Sequence, residues 1–392
     1  MVSYSSIAFL YPSDPIHIRQ VDESYRDEFY AARRAGLAVH CFDIVSKNHG
    51  CGRISYMQGE ESGDISTAIT TYKNGVNDMA SHQWQQTIFI DTALAAKLIQ
   101  QQMAFEVKNI VEMGKGWDNI AYLVNEQYVF RFPRRAMGVE CLQNEIQALP
   151  YLAEHVSFSF THPEFVGTPS QEYQSPFAGY PMLPGVQLSE MPAKSVTSTS
   201  FAKKLAQWLK ELHTIPVRQE DHTAIKGDQN WRYNVSQRSD KVMKSLERYA
   251  SYFQDAGFEI SQLITALEYF KPYDFEHIAR TSYCHGDLYS RHILVDENHE
   301  PSGLIDWGDV HIGHPGIDLS VGFMIFADDA LSIFLKEYSH VDSSTYAMAL
   351  FRTFWHPIAL LPYCYEEKEE RLKGWAVLAL SRAIAKINER RI

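Results

Sequence analysis

The sequence predicts an α+β chain: a small antiparallel-sheet lobe, then a larger and mainly helical lobe, with a small α/β unit in front of both. Three observations carry that expectation. Short strand-like runs separated by tight corners fill residues 105–133, apolar repeats at helical spacing dominate after residue 199, and a strand-helix-strand pattern occupies residues 4–45. At 392 residues the chain exceeds one ordinary core, so several packed units are expected. We place them at 1–103 (an accessory α/β domain), 104–184 (the sheet lobe and a hinge) and 185–392 (the helical lobe).

The opening "YSSIAFLYP" (residues 4–12) reads as a buried strand, the charged segment from Val21 as a helix stopping near Gly36, and "AVHCFDIV" as a second strand. No glycine-rich fingerprint joins the first strand to the helix, which argues against dinucleotide binding. Polar residues 57–82 read as loops. "QTIFIDTALAAKLIQQQ" leads into a helix expected to link two units, with the boundary near 100–104.

From there "FEVKNIVEMGKGWDNIAYLVNEQYVFRFPRR" gives three strands in series, broken at Gly114-Lys115-Gly116 and at Asn125-Glu126-Gln127, hence an antiparallel meander. Residues 139–154 read as a helix with Leu142, Ile146, Leu149 and Leu152 on one face, and the breaker-rich "PFAGYPMLPG" as an extended crossing. A helix opens behind Ser198, Thr199 and Ser200 and stops at Pro216. Further helices are expected at 236–255, 259–270, 328–339, 344–363 and 368–389.

The net charge of −12 repels phosphate backbones, and no basic stripe with interleaved aromatics is present, so nucleic acid is not an expected partner. A cationic small molecule suits that charge better. Five scattered cysteines without a CxxC pair fit neither a disulfide framework nor a zinc cage, which suggests a reducing cytoplasm. No apolar run reaches the roughly 18 residues needed to span a bilayer, and the N-terminus lacks a basic region followed by an apolar core, so no membrane association is expected.

The chemistry concentrates in "SYCHGDLYSRHILVDENHEPSGLIDWGD", residues 282–309. Asp287 follows His285-Gly286, His292 stands five positions on, and Asp306 lies fourteen further. In the protein-kinase catalytic loop HRDxxxxN, an Asp orients the attacking hydroxyl, a residue five positions later binds magnesium, and a later Asp bridges metal to phosphate. The offsets match. They make "ILVD" and "GLID" adjacent strands through a hairpin at Glu297-Asn298-His299, turning both metal ligands toward one cleft.

HGDLxxxHxLxD followed by IDWxxxxxGxPxxDL resembles the aminoglycoside and macrolide phosphotransferase family over residues 105–390. That resemblance implies a kinase-like fold and transfer of the γ-phosphoryl group of ATP or GTP to an antibiotic hydroxyl. It implies Asp287 as catalytic base, His292 and Asp306 as Mg2+ ligands, and Asp318 as a structural acid at a helix start. Two departures stand out. Many members carry Asn where this chain has His292, and the clamp position expected to hold Lys is Arg131, which can pair with Glu145. Gly114 and Gly116 would bring backbone amides over the phosphates, and Met182 and Leu183 would supply hinge donors between Pro181 and Pro184. Asp309, Trp355, Tyr363, Glu366 and Glu367 are candidate acceptor contacts. The first forty residues resemble the N-terminal domain of ATP-grasp ligases, in which a "YPSDP"-like strand end leads into a helix.

Two rivals remain. His311 and His314, joined with His285 and His292, suggest a zinc-dependent hydrolase, although no HExxH pair is present. Arg131 and the extra N-terminal unit suggest a nucleotide-binding module that has lost catalysis.

Overall fold

The computed structural model describes residues 6–12, 38–45, 53–54, 88–116, 118–193, 198–228, 231–339 and 341–391. It divides into Met1–Thr87 and Ile88–Ile392. In the first unit β1 (Ser6–Pro12) and β2 (Ala38–Val45) pair in parallel, and β3 (Arg53–Ile54) runs antiparallel to β2. The helix expected between Val21 and Gly36 lies outside the described residues.

The division falls after residue 87, not near 103. Helix α1 (Thr92–Gln102), read from sequence as a linker, belongs to the sheet lobe, because Ala95, Leu98 and Ile99 are buried in one cluster with Tyr122, Phe130 and Phe132. Asp91 caps it, its carboxylate accepting from the Leu94 N–H at 2.8 Å.

Strands β4 (Ile110–Lys115), β5 (Asn119–Val124), β6 (Tyr128–Pro133), β7 (Phe165–Gly167) and β8 (Phe177–Pro181) form a five-stranded antiparallel sheet in the order β4-β5-β6-β8-β7. Alternation in β5 buries Ile120, Tyr122 and Val124. The opposite face receives α2 (Ala136–Ala153), which buries Leu142, Leu149 and Leu152 and carries Glu145 inward. Arg131 on β6 stands opposite Ala121 and Ala178 in the ladders.

After β8 the chain crosses through Met182 to Gly185 into β9 (Val186–Gln187). Gly185 has φ +119°, and a Cβ there would sit 2.7 Å from both Ser302 Oγ and the Val295 carbonyl, so the crossing needs glycine.

The helical lobe contains α3 (Thr199–Thr214), α4 (Asp221–Ala224), α5 (Val235–Arg248), α6 (Ala250–Asp255), α7 (Ile260–Glu268), α8 (Gly316–Ile325), α9 (Asp328–Tyr338), α10 (Ser343–Glu366) and α11 (Glu370–Arg391). One apolar core runs through it from Phe201 to Ile387. The single helix expected over 236–255 is two, because Tyr249 leaves helical geometry at φ −118°, ψ 27°. Inserted strands β10 (Ser282–Cys284), β11 (Ile293–Val295), β12 (Pro301–Leu304) and β13 (His311–Gly313) carry the motif. β10 pairs with β13, and β11 lies between β9 and β12. Among the described residues no helix is long and apolar enough to cross a membrane.

Candidate active site

The β10–β13 pair ends at Cys284 opposite His311, and the chain leaves it through His285 and Gly286. Gly286 has φ +84°, and a Cβ would collide with the Asp309 carbonyl. Asp318, fully buried in the first turn of α8, fixes this turn from below. It accepts from the His285 N–H at 2.7 Å and the Gly286 N–H at 2.9 Å, and meets His213 Nε2 at 3.1 Å. Burial alone would raise its carboxyl, but His213 first, then His285 and the Gly286 N–H, outweigh that and bring its pKa down to about 2.

A chain of contacts then joins the motif residues. His292 Nδ1 meets the Asp287 carbonyl at 2.8 Å and its Nε2 faces Asp306 Oδ2 at 3.3 Å. The other Asp306 oxygen accepts from Arg131 Nη2 at 2.9 Å, while Arg131 Nη1 reaches Glu145 at 3.1 Å. Tyr180 donates to Glu145 at 2.7 Å. Asp287, His292, Asp306, Arg131 and Glu145 are thus brought together beneath the sheet, from β6, α2 and the hairpin. The hairpin is antiparallel with Ile293 opposite Leu304, and Asp306 adopts φ +63° just past its end.

Electrostatics follows that chain. What burial Asp306 has would raise its carboxyl, but Arg131 and then His292 hold it well below the usual carboxylate range. Burial lowers the His292 imidazole, yet Asp306 and Asp287 more than reverse this and raise it. At Asp287 burial also works upward, and His356 followed by Arg352 dominates, so the carboxyl stays ionised. Arg352 Nη2 donates to Asp287 Oδ1 at 2.9 Å, and His356 Nε2 lies 3.5 Å from the same oxygen.

Not every candidate converges. The Gly116 N–H is taken by the Asn119 carbonyl at 2.9 Å, so this amide closes the hairpin and does not face the cleft; the space beside Gly114 is open. The Met182 N–H donates to the Gln127 carbonyl at 2.7 Å, so this amide continues the sheet pairing. Asp309 is 30% exposed and paired with Arg232 at 2.6 Å. Trp355 is buried at 5% exposure with the Arg238 guanidinium 3.8 Å above its ring, so it offers no face to an acceptor. Glu366 ends α10 ten residues beyond His356, about 15 Å further along a helix.

Arg352 and His356 escaped the sequence reading, although a signal exists. They stand four apart in "ALFRTFWHPIAL", an otherwise apolar run, and so share one helix face. Charged and titratable groups there need a buried partner.

The pair His292 and Asp306 fits a magnesium ion that retains phosphate and water ligands. With Nδ1 tied to a backbone carbonyl, His292 presents Nε2 beside a 47% exposed carboxylate. The proposed zinc set does not assemble. His285 Nε2 is held at 3.0 Å by the Ile305 carbonyl, and His311 Nε2 at 2.9 Å by the Tyr233 hydroxyl. Among the described residues the one group of three close ligand-type side chains is His213, Cys284 and Asp318, all buried, and its carboxylate is already engaged by the His285 and Gly286 amides and by His213.

A five-stranded sheet lobe with a cation–glutamate pair, poised over an HGD loop and a second acid on a helical lobe, defines a kinase-like phosphotransferase. The model of the phosphotransferase enzyme family known as APH matches residues 109–351, and the chain belongs to that family. Its members transfer phosphate to hydroxyl groups, and this chain is such an enzyme. The uncharacterized protein YcbJ of Bacillus subtilis (strain 168) is 23% identical over 244 residues, 56% of this chain and 70% of that protein. Among solved structures, the GDP and kanamycin complex of APH(2")-IIIa aligns with a TM-score of 0.57 at 21% identity, covering 76% of this chain and 98% of that one. The GDP complex of wild-type aminoglycoside 2'-phosphotransferase-IIIa gives 0.55 at 21% identity, with 77% and 100% covered. These likenesses establish the fold. The family match begins at residue 109, and nothing in it supports the ATP-grasp likeness of the N-terminus.

Proposed function

We propose that the protein moves the γ-phosphoryl group of ATP or GTP to a hydroxyl of an aminoglycoside, macrolide or similar small molecule. The observation that carries this reading is the unbroken contact chain from Glu145 through Arg131, Asp306 and His292 to Asp287. That contiguity supports reading Arg131 as the phosphate-binding cation, His292 and Asp306 as the metal-ligand pair and Asp287 as the hydroxyl-orienting carboxylate of one site.

In this reading the Leu183 N–H meets the purine edge and Arg131 neutralises phosphate oxygen, with Glu145 holding its planar fork in place. Asp306 and His292 would hold Mg2+, which would supply positive charge to offset that of the phosphate oxygens. Asp287 orients the acceptor hydroxyl in line with the γ-phosphorus. As the new O–P bond forms, the bond to the β–γ bridging oxygen breaks; the hydroxyl proton passes to Asp287 and on to solvent. The products are a phosphomonoester and a nucleoside diphosphate. A base held as acidic as Asp287 suits a loose transition state in which the proton leaves late. Dependence on intracellular nucleotide fits work in the cytoplasm.

The net charge of −12 favours a cationic acceptor, and an aminoglycoside is the first to test. A second reading has support as well. Asp287 and Asp309 are already paired with Arg352 and Arg232, so little unbalanced negative charge faces the acceptor, which suits a weakly charged macrolide. Nucleotide consumption by the purified protein, with ATP and GTP against kanamycin, gentamicin and a macrolide, decides between them. Turnover with none of these would overturn the antibiotic assignment.

A further inference from the structure

We propose that Arg352 is a positioning residue for Asp287: from α10 its guanidinium fixes Oδ1, so that Oδ2 is the carboxylate oxygen offered to the acceptor hydroxyl. The inference rests on the reading of Asp287 as the hydroxyl-orienting acid. Arg352 itself lies just beyond the matched family segment, which ends at residue 351.

Four observations carry it. Arg352 is fully buried, a costly place for a guanidinium unless its charge is used. Two of its three hydrogen bonds go to the catalytic loop: Nη2 to Asp287 Oδ1 at 2.9 Å and Nη1 to the Leu288 carbonyl at 2.9 Å. The third, Nη1 to Ser320 Oγ at 2.7 Å, ties the group to α8, whose Asp318 holds the same loop from the other side. Finally, its Nε is buried with no hydrogen-bond partner among the described residues. A side chain kept only to bridge helices would be better satisfied as an apolar residue. The arrangement instead aims one planar fork at the acid and at the backbone beside it.

His356, one helical turn further on, supports the same oxygen at 3.5 Å. Its ring packs on Tyr289 at 4.8 Å between centroids, and Tyr289 packs on His292 at 4.4 Å. Arg352 and His356 therefore both approach Oδ1 from α10, while Oδ2 lies 3.9 Å from His292 Nδ1, which is already committed to the Asp287 carbonyl. Rotation of the carboxylate would break the Arg352 bond. The positive charge also lessens repulsion between Asp287 and the incoming γ-phosphoryl oxygens.

The test is a double-mutant cycle in the full chain, with kanamycin and with a macrolide as acceptors under GTP and ATP, and with release of phosphate to water as the readout if neither is phosphorylated. Arg352→Met should lower kcat roughly 100-fold and leave the KM for nucleotide within about threefold, as loss of an orienting partner does. Arg352→Lys, which keeps the charge and one donor, should recover about tenfold of that loss. In an Asp287→Asn background Arg352→Met should change the residual rate less than about threefold, because its effect passes through the carboxylate. Thermal melting checks that each variant is folded, and if the Met variant is not, the Lys variant carries the same comparison. An equal fall caused by the Arg352 change in both backgrounds would overturn the positioning role alone. An Asp287→Asn enzyme as fast as wild type would instead overturn the reading beneath it.

Discussion

Replacing Asp318 by Asn removes the charge that holds the catalytic turn without changing its size. The wild-type carboxylate serves the His285 and Gly286 amides and His213 at once, at 2.7, 2.9 and 3.1 Å. An amide side chain can turn one carbonyl oxygen toward these donors, and its NH2 then faces another donor, leaving at least one buried N–H unsatisfied. That costs about 1–3 kcal/mol, and losing charge assistance in the surviving bonds brings the total to roughly 3–5 kcal/mol. The acid-base linkage accounts for the part of this that comes from the charge. The carboxyl pKa falls from 3.8 unfolded to about 2 folded, a contribution of roughly 2 kcal/mol from the charge alone. Because the folded value is the lower one, this contribution is fully present above pH 3.8 and is lost as pH falls toward about 2. Calorimetry should show the Asn variant melting roughly 5–15 °C lower near neutral pH. The difference should narrow on acidification through that window. Turnover should drop about 100-fold, since the turn carrying Asp287 loses its anchor. Melting within about 2 °C of wild type with full turnover would refute the anchoring role.

Three further outcomes follow from the same geometry. Arg131→Ala leaves Glu145, 1% exposed, with Tyr180 as its partner; urea titration should show a loss of roughly 3–5 kcal/mol, and calorimetry a weaker nucleotide interaction. Gly286→Ala forces a Cβ into the Asp309 carbonyl at φ +84°; activity should fall at least about tenfold with a stability cost of roughly 1–3 kcal/mol, measured by kinetics and melting. His356 has its pKa lowered from 6.5 to about 4, chiefly by burial, so below pH 6.5 the unfolded chain takes the proton first. Stability of roughly 3 kcal/mol that is present above pH 6.5 is lost as pH falls between those two values, and His356→Gln should flatten that part of the pH-melting curve.

How much of this was legible in the sequence depends on whether the signal is local. The meander and the amphipathic helices announce themselves through period, and the motif through fixed offsets along one stretch of chain. Helix α8 carries no such period, because all ten residues from Gly316 to Ile325 are buried, Asp318 and Ser320 among them, so no polar face alternates with an apolar one. The role of α1 was misjudged for a related reason: its apolar face was visible, but what covers that face is set by tertiary packing. Arg352 meets Asp287 across 65 positions of sequence, which no spacing rule reaches. Trp355 drew attention as an aromatic beside acids, yet Arg238 covers it. The Met182 and Gly116 amides are spent on sheet and hairpin bonds whose register only the fold determines.

The most direct test of the central claim is phosphorus NMR of the purified protein with Mg2+, GTP or ATP, and kanamycin or a macrolide, run beside Asp287→Asn. The account predicts a new phosphomonoester resonance growing with wild type, while the Asn variant still binds nucleotide but forms that product at least roughly 100-fold more slowly. Product formed at equal rates by the two proteins would contradict it.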